Sequence, residues 1–296
     1  MKLRPQARAV LKGLAFTSPF TLGFLAFTLY PLMASLYYSF TTYAILTPPK
    51  WIGLTNYTTL FARDDLFWTS LGNTFYYTFL SVPVGLVASF LLALALNARV
   101  RGMSLYRTIY FLPTLVPTVA MAILWLWMFN PQYGILNRLL NLVGLPGLGW
   151  LADINLAKPS LVLMGLWGVG QTVIIILAGL QDVPAQLYEA AEIDGANGFQ
   201  KAIYITIPML TPVILFNLIM GIIGGFQYFT QAYVMTNGGP VNATLFYALY
   251  LYRNGFQYIK MGYASALAWI LFLIILACIL LVFRTSRRWV YYGGIR

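Results

Sequence analysis

Glu189-Ala190-Ala191-Glu192-Ile193-Asp194-Gly195-Ala196 holds three of the seven acidic residues of a 296-residue chain. Long apolar runs lie on both sides, so the octet reads as a soluble helix written between membrane segments. Pro184 fits the start of that helix. Ala185, Gln186, Leu187, Glu189, Ala190, Ala191 and Glu192 are good helix formers, and Gly195 offers a C-terminal stop after about three turns. Glu189 and Glu192 project near each other at i and i+3, while small Ala190 and Ala191 leave room for another surface to approach. After Gly195 and Gly198 a second helix carries Phe199, Ile203 and Ile207 on one stripe. Pro208 and Pro212 are expected to mark a bend back into the membrane. A generic loop between spans is short and basic, so residues 182–208 read as a docking surface for a soluble subunit.

The flanking sequence sets the class. It is 60% hydrophobic and only 8% charged, with a mean hydropathy of +0.76, more apolar than a soluble domain of this length needs. A bilayer core of about 30 Å takes roughly 20 helical residues to cross. Uncharged apolar runs of that length occupy 14–40, 71–96, 109–129, 161–180, 209–235 and 262–283. They lack the period-two alternation of barrel strands. The expected fold is an all-α polytopic membrane protein with six transmembrane helices, one domain over 1–296.

Basic residues orient it. Lys2, Arg4, Arg8, Lys12, Arg99, Arg101, Arg107, Lys201, Arg284, Arg287, Arg288 and Arg296, twelve of the eighteen Lys and Arg, fall on one side of the six runs. The positive-inside rule then puts both termini and the 182–208 loop in the cytoplasm. The net charge of +11 is thus topological, and no nucleic-acid partner is implied, because the basic residues sit beside spans instead of on one folded surface. The run at 14–40 is too long for a signal-peptide core, so it is expected to stay as a span.

Several chemistries are excluded. The chain has no histidine and a single cysteine, Cys278, which removes Ser-His and Cys-His catalysis, a cysteine metal cluster and an internal disulfide. None of its lysines follows a glycine, so no Walker A loop exists and ATP hydrolysis must belong to another subunit. External loops are expected at 41–69, 130–159 and 236–261. The first has an amphipathic stretch over 54–67, with Tyr57, Leu60 and Phe61 at helical spacing, suited to a short interfacial helix. The third opens on the turn signal Thr236-Asn237-Gly238-Gly239-Pro240 and continues through the aromatic run Phe246 to Tyr252.

A sugar path needs aromatic faces and amides inside spans. Leu166-Trp167-Gly168-Val169-Gly170-Gln171 and Gly224-Gly225-Phe226-Gln227-Tyr228-Phe229-Thr230-Gln231 meet that description. Trp167, Gly168 and Gln171 share one helical face, as do Gly224, Tyr228 and Gln231. Helix packing is the other reading of both stretches and stays open.

The order Glu189-Ala190-Ala191, three residues, Gly195, nine residues, Ile205, one residue, Ile207-Pro208 resembles the EAA loop of binding-protein-dependent ABC importer permeases. Ile207 stands where leucine is commoner. With Tyr30-Pro31-Leu32 late in the first run and Thr236 to Pro240 after the fifth, nearly the whole chain is similar to carbohydrate-type permeases of the MalF kind in a compact form. The resemblance implies a type I ABC importer permease in the plasma (inner) membrane of a prokaryote. Its partners would be a MalG-like second permease, two ATP-binding cassette subunits that hold ATP and Mg, and an extracellular substrate-binding protein. It also implies that Glu189, Ala190, Ala191, Asp194, Gly195, Ile205 and Pro208 couple to the ATPase. Gly168, Gln171, Gly224, Gly225 and Tyr228 fall at or near family sugar-contact positions. The expected activity is non-catalytic import of a mono- or oligosaccharide by alternating access. The alternatives are an ion-coupled secondary transporter, which usually advertises an intramembrane carboxylate, and an ABC permease for glycerol phosphate, which needs charge compensation.

Overall fold

The computed structural model describes residues 5–98 and 100–291. The chain begins with α1 (Pro5–Phe24), a π-helical turn (Leu25–Leu29), α2 (Tyr30–Ser39), strands β1 (Thr41–Ala44) and β2 (Thr47–Trp51), and α3 (Thr55–Arg63). Next come α4 (Asp65–Leu96), α5 (Met103–Phe111), a 3₁₀ turn (Leu112–Leu115), α6 (Thr118–Met128), α7 (Ile135–Leu142), α8 (Ala157–Trp167) and α9 (Gly170–Gln181). The remainder is α10 (Ala185–Ile193), α11 (Gly198–Lys201), a second π turn (Ala202–Thr206), α12 (Ile207–Phe226), α13 (Thr230–Met235), α14 (Tyr247–Tyr252), a third π turn (Arg253–Gln257) and α15 (Met261–Ser286).

Among the described residues, four largely helical stretches are long and apolar enough to cross a bilayer: Lys12–Ser39, Asp65–Leu96, Gly198–Met235 and Met261–Ser286. Two bent pairs bring the number to six if each is one span. In the first, α5 with its 3₁₀ turn meets α6 at 99°. Val116 there is extended ahead of Pro117, as the proline ring requires of the residue before it. In the second, α8 and α9 meet at 50° across Gly168 and Val169. Apolar composition marks both stretches as membrane segments but carries no sign of the bend.

Among the described residues, those up to Asp64 together with 251–270 form one compact unit. It contains the departure from an all-helical chain, since 41–51 pair as an antiparallel hairpin with Thr41 opposite Trp51 and Ala44 opposite Thr47. Asn56 Nδ2 secures the hairpin by donating to Ser39 O at 2.8 Å and Thr41 O at 3.0 Å. The amphipathic helix of the first loop is shorter than 54–67, ending at Arg63. Asp64 leaves helical geometry there, and Tyr263 donates to its carboxylate. Leu60 is fully buried while Phe61 remains exposed.

The second unit takes in 65–250 and, among the described residues, 271–291. Its centre is α4, which packs against α8, α9 and α12. Ala93, Leu96, Ile176, Leu180 and Leu210 close one end as an apolar core. The aromatic run after the third turn is also interior: Leu245, Phe246 and Tyr247 are fully buried. Asn73 Nδ2 donates to Asn242 O and Leu245 O, and Tyr247 N donates to Thr74 Oγ1 at 2.8 Å. The second loop folds around Asn137, whose amide bonds Pro131 O, Leu148 O, Leu148 N and Trp150 Nε1.

The expected bend at Pro208 and Pro212 does not break the helix, which runs through both prolines from Gly198 to Phe226. A helical proline clashes with the carbonyl four residues back. For Pro208 that residue is Tyr204, inside the π turn, whose wider i→i+5 geometry displaces the carbonyl. For Pro212 it is Pro208, whose freed carbonyl accepts from Thr211 Oγ1 at 2.6 Å.

Candidate coupling loop and substrate cavity

The loop is shaped by its caps. Pro184 sits one position before the helix, as the N-cap of α10. At the other end Gly195 takes φ +75°, a left-handed conformation that costs other L-residues about 1–2 kcal/mol. Ala196 N donates to Ala191 O at 2.8 Å and Gly195 N to Glu192 O at 3.1 Å, the paired bonds of a Schellman ending. Two residues later Asn197 opens α11 with a capping box: its Oδ1 accepts from Gln200 N at 2.9 Å, and Gln200 Oε1 accepts from Asn197 N at 2.8 Å.

Two contacts join the helices. Lys201 Nζ donates to Glu192 Oε1 at 2.8 Å, and that hydrogen bond, helped by the lysine charge, holds the Glu192 carboxyl below its usual range. The hydroxyls of Tyr188 and Thr206 meet at 3.0 Å, tying α10 to the π turn. Thr206 is buried, and the sequence motif does not mark it.

Glu189, Ala190, Asp194 and Gly195 are exposed, and Ala191, Ile205 and Pro208 are half-buried. The apolar stripe is exposed too. Phe199 is 74% and Ile193 88% accessible, flanking the turn, with Tyr204 also exposed. Large apolar side chains left open around a rigid turn are what a partner surface needs.

In the second unit a cavity of about 410 Å³ lies among α4, α8, α9, α12 and α13. Gly168, Gly224, Gly225, Tyr228 and Gln231 line it, so two separate sequence stretches reach one space. Trp167, Gln171 and Gln227 are exposed and lie outside its wall. Gly168 ends α8, so Trp167 and Gln171 do not share a helical face. Trp167 instead packs edge-on against Trp125, ring centroids 6.2 Å apart.

The two adjacent glycines behave differently. A Cβ at Gly225 would stand 2.7 Å from Thr78 Oγ1 and 2.8 Å from its Cγ2, whereas nothing lies within 4 Å of one at Gly224. Gly225 thus permits the close crossing of α12 on α4, and Gly224 faces open space.

The described lining carries no charged residue. Ser89 Oγ and Tyr228 Oη are buried on the wall without a hydrogen-bond partner. Tyr77 lies against Tyr228, ring centroids 4.2 Å apart; the two hydroxyls interact electrostatically but form no well-aligned hydrogen bond. Buried orphan hydroxyls are costly unless something bonds them. An aromatic wall with such hydroxyls suits a neutral polyhydroxy ligand. Tyr77, Ser81, Ser89, Thr172 and Asn217 also line the cavity and escaped the sequence reading. For the three on α4 a signal was present, since Asn73, Tyr77, Ser81, Gly85 and Ser89 recur every fourth residue along it.

A helical bundle with an uncharged cavity, lined in part by hydroxyls and amides, and an exposed capped loop is the build of a transport permease. Residues 81–291 match the family described as binding-protein-dependent transport system inner membrane component, and the chain belongs to that family. Its fold is that of type I ABC importer permeases. The chain is 43% identical over 286 residues to the probable ABC transporter permease protein YesP of Bacillus subtilis, covering 95% of this chain and 92% of that one. It is 36% identical over 275 residues to the arabinooligosaccharides transport system permease protein AraP of the same organism, covering 92% and 87%. Among solved structures it is similar to a chain of a bacterial alginate ABC transporter in complex with alginate pentasaccharide-bound periplasmic protein. That match has a TM-score of 0.83 and 26% identity, covering 97% of this chain and 98% of the other.

Proposed function

We propose that this chain is one permease half of an ATP-driven importer that passes a saccharide through six spans. Both termini and the 182–208 loop face the cytoplasm, following the excess of Lys and Arg on that side. An extracellular binding protein delivers the sugar. Two ATP-binding cassette subunits hold ATP and Mg, and a MalG-like second permease supplies the other wall of the path. The observation that carries the reading is the capped pair α10 and α11, which holds Glu189 on a rigid exposed surface beside Ile193 and Phe199.

Mechanically, the loop and the cavity sit on one element. The helix that begins at Gly198 contributes Gly224 and Gly225 to the cavity, and Tyr228 follows its end at Phe226. At about 1.5 Å per residue, Lys201 and Gly224 are roughly 35 Å apart along it. Closure of the ATPase subunits against Glu189 would shift this helix against α4 and α9, opening the cavity first to one side and then to the other. The uncharged wall and its unpartnered hydroxyls favour a neutral sugar, in keeping with a relative named for arabinooligosaccharides. Glu189→Ala tests the proposal. ATP-dependent uptake in reconstituted vesicles should fall roughly tenfold or more, the scale of one lost charged hydrogen bond, at unchanged membrane insertion. Normal uptake at normal subunit levels overturns it.

A further inference from the structure

Away from the sugar cavity, two other hollows of the second unit meet at one cation. Arg107 on α5 and Gln181 at the end of α9 line both. The first, about 270 Å³, is walled by Tyr110, Phe111, Val173, Ile174, Leu177 and Ala178. The second, about 590 Å³, is bounded by Asn97, Met103, Val183, Ala185 and Tyr188, so it reaches the coupling helix α10. An apolar slot beside a more polar one, with Arg107 and Gln181 on both walls, is suited to an amphiphile.

Arg107 supplies the charge preference. Its Nε and Nη2 donate to Leu96 O at 3.2 and 3.0 Å, which uses two of five N–H donors and leaves the rest of the guanidinium for an anion. No other charged residue is among the described lining of either hollow. An anionic head therefore meets a cation and no carboxylate. Arg107 stands one turn inside α5, close to the connection from α4, and a basic side chain beside spans attracts anionic lipid headgroups.

We propose that the two hollows form a single site for an anionic phospholipid of the leaflet facing the coupling loop. The acyl chain lies along Tyr110 and Val173, the phosphate bonds Arg107, and the headgroup braces α10 through Ala185 and Tyr188. The choice of leaflet rests on reading 182–208 as the coupling loop. The site makes coupling sensitive to lipid composition.

The test places the full chain, carrying Tyr110→Trp, in nanodiscs with brominated phosphatidylglycerol or brominated phosphatidylcholine at equal low mole fraction. The tryptophan emission added by the substitution should be quenched more by phosphatidylglycerol, roughly fivefold, the ratio that one basic residue near an anionic surface supports. Arg107→Gln in the same background should abolish the preference. Arg107→Lys should keep it, which separates loss of charge from loss of the bond to Leu96. Equal quenching by the two lipids, quenching by neither, or a preference that survives Arg107→Gln overturns the proposal. Transport by Glu189→Ala does not enter this readout, so the two proposals fail independently.

Discussion

The 182–208 loop and the cavity wall differ in the range of the interactions that shape them. In the loop, Gly195 closes on Glu192, Asn197 on Gln200, and Lys201 on Glu192, all within nine residues. The wall brings Tyr77, Gly168 and Tyr228 together from three separate membrane segments, and nothing near any one of them fixes its distance from the others. A surface built by local caps keeps its form while it is pushed. A cavity built by helix crossings changes shape when one helix shifts, which is what alternating access needs.

The sharpest way to break this contrast is to disturb a crossing. Gly225→Val drives a branched side chain into Thr78 and should cost about 1–3 kcal/mol of stability, as overpacking does, read as a lower melting temperature of the detergent-solubilised chain. Gly224→Ala meets nothing within 4 Å and should leave the melt unchanged while lowering uptake. Equal melting of the two variants would erase the distinction between packing and path.

Gly195→Ala should act locally instead. Forcing φ +75° on alanine costs about 1–2 kcal/mol, and hydrogen exchange should quicken over 185–201 with no change along α4. Spread of the effect into the cavity helices would show that the loop is not autonomous. Asn197→Ala removes the capping box and should cost roughly 1 kcal/mol or less at so exposed a site, with faster exchange confined to the start of α11.

The smallest effect belongs to Glu192. Its carboxyl is depressed by Lys201, so the contact's contribution is complete above the unfolded carboxylate value of about 4.3 and is lost as pH falls through the lower folded value. Lys201→Gln should raise the Glu192 midpoint in a carbon-13 titration. An unmoved midpoint would mean the bridge does not hold the two helices together in solution.

Legibility follows the same division. The ending at Gly195 was readable because a left-handed glycine is a local event. The membrane segments were readable because composition alone marks them. The breaks were not: Gly168-Val169 and Gln227-Tyr228-Phe229 interrupt helices inside runs that remain uncharged throughout. Pro208 and Pro212 misled because a π turn and the Thr211 hydroxyl absorb their missing bonds. Phe246 and Tyr247 looked like loop residues, yet Asn73 and Thr74 of α4 bind that segment's backbone and bury it. The polar stripe on α4 was visible at helical spacing, and its members Tyr77, Ser81, Gly85 and Ser89 form another wall of the cavity.

The π turn at Ala202–Thr206 also sets an angular register. It holds one residue more than an α-helical path between the same ends, and one residue of an α-helix turns through about 100°. The face that α11 offers to a partner is thus rotated by about that angle, relative to an unbroken helix, from the face by which α12 reaches the cavity. Deleting one residue within 202–206 would swing Phe199 and the whole loop around the helix axis and leave Gly224 and Tyr228 where they are. The five-residue turn is a phase offset between the input and the output of one rod.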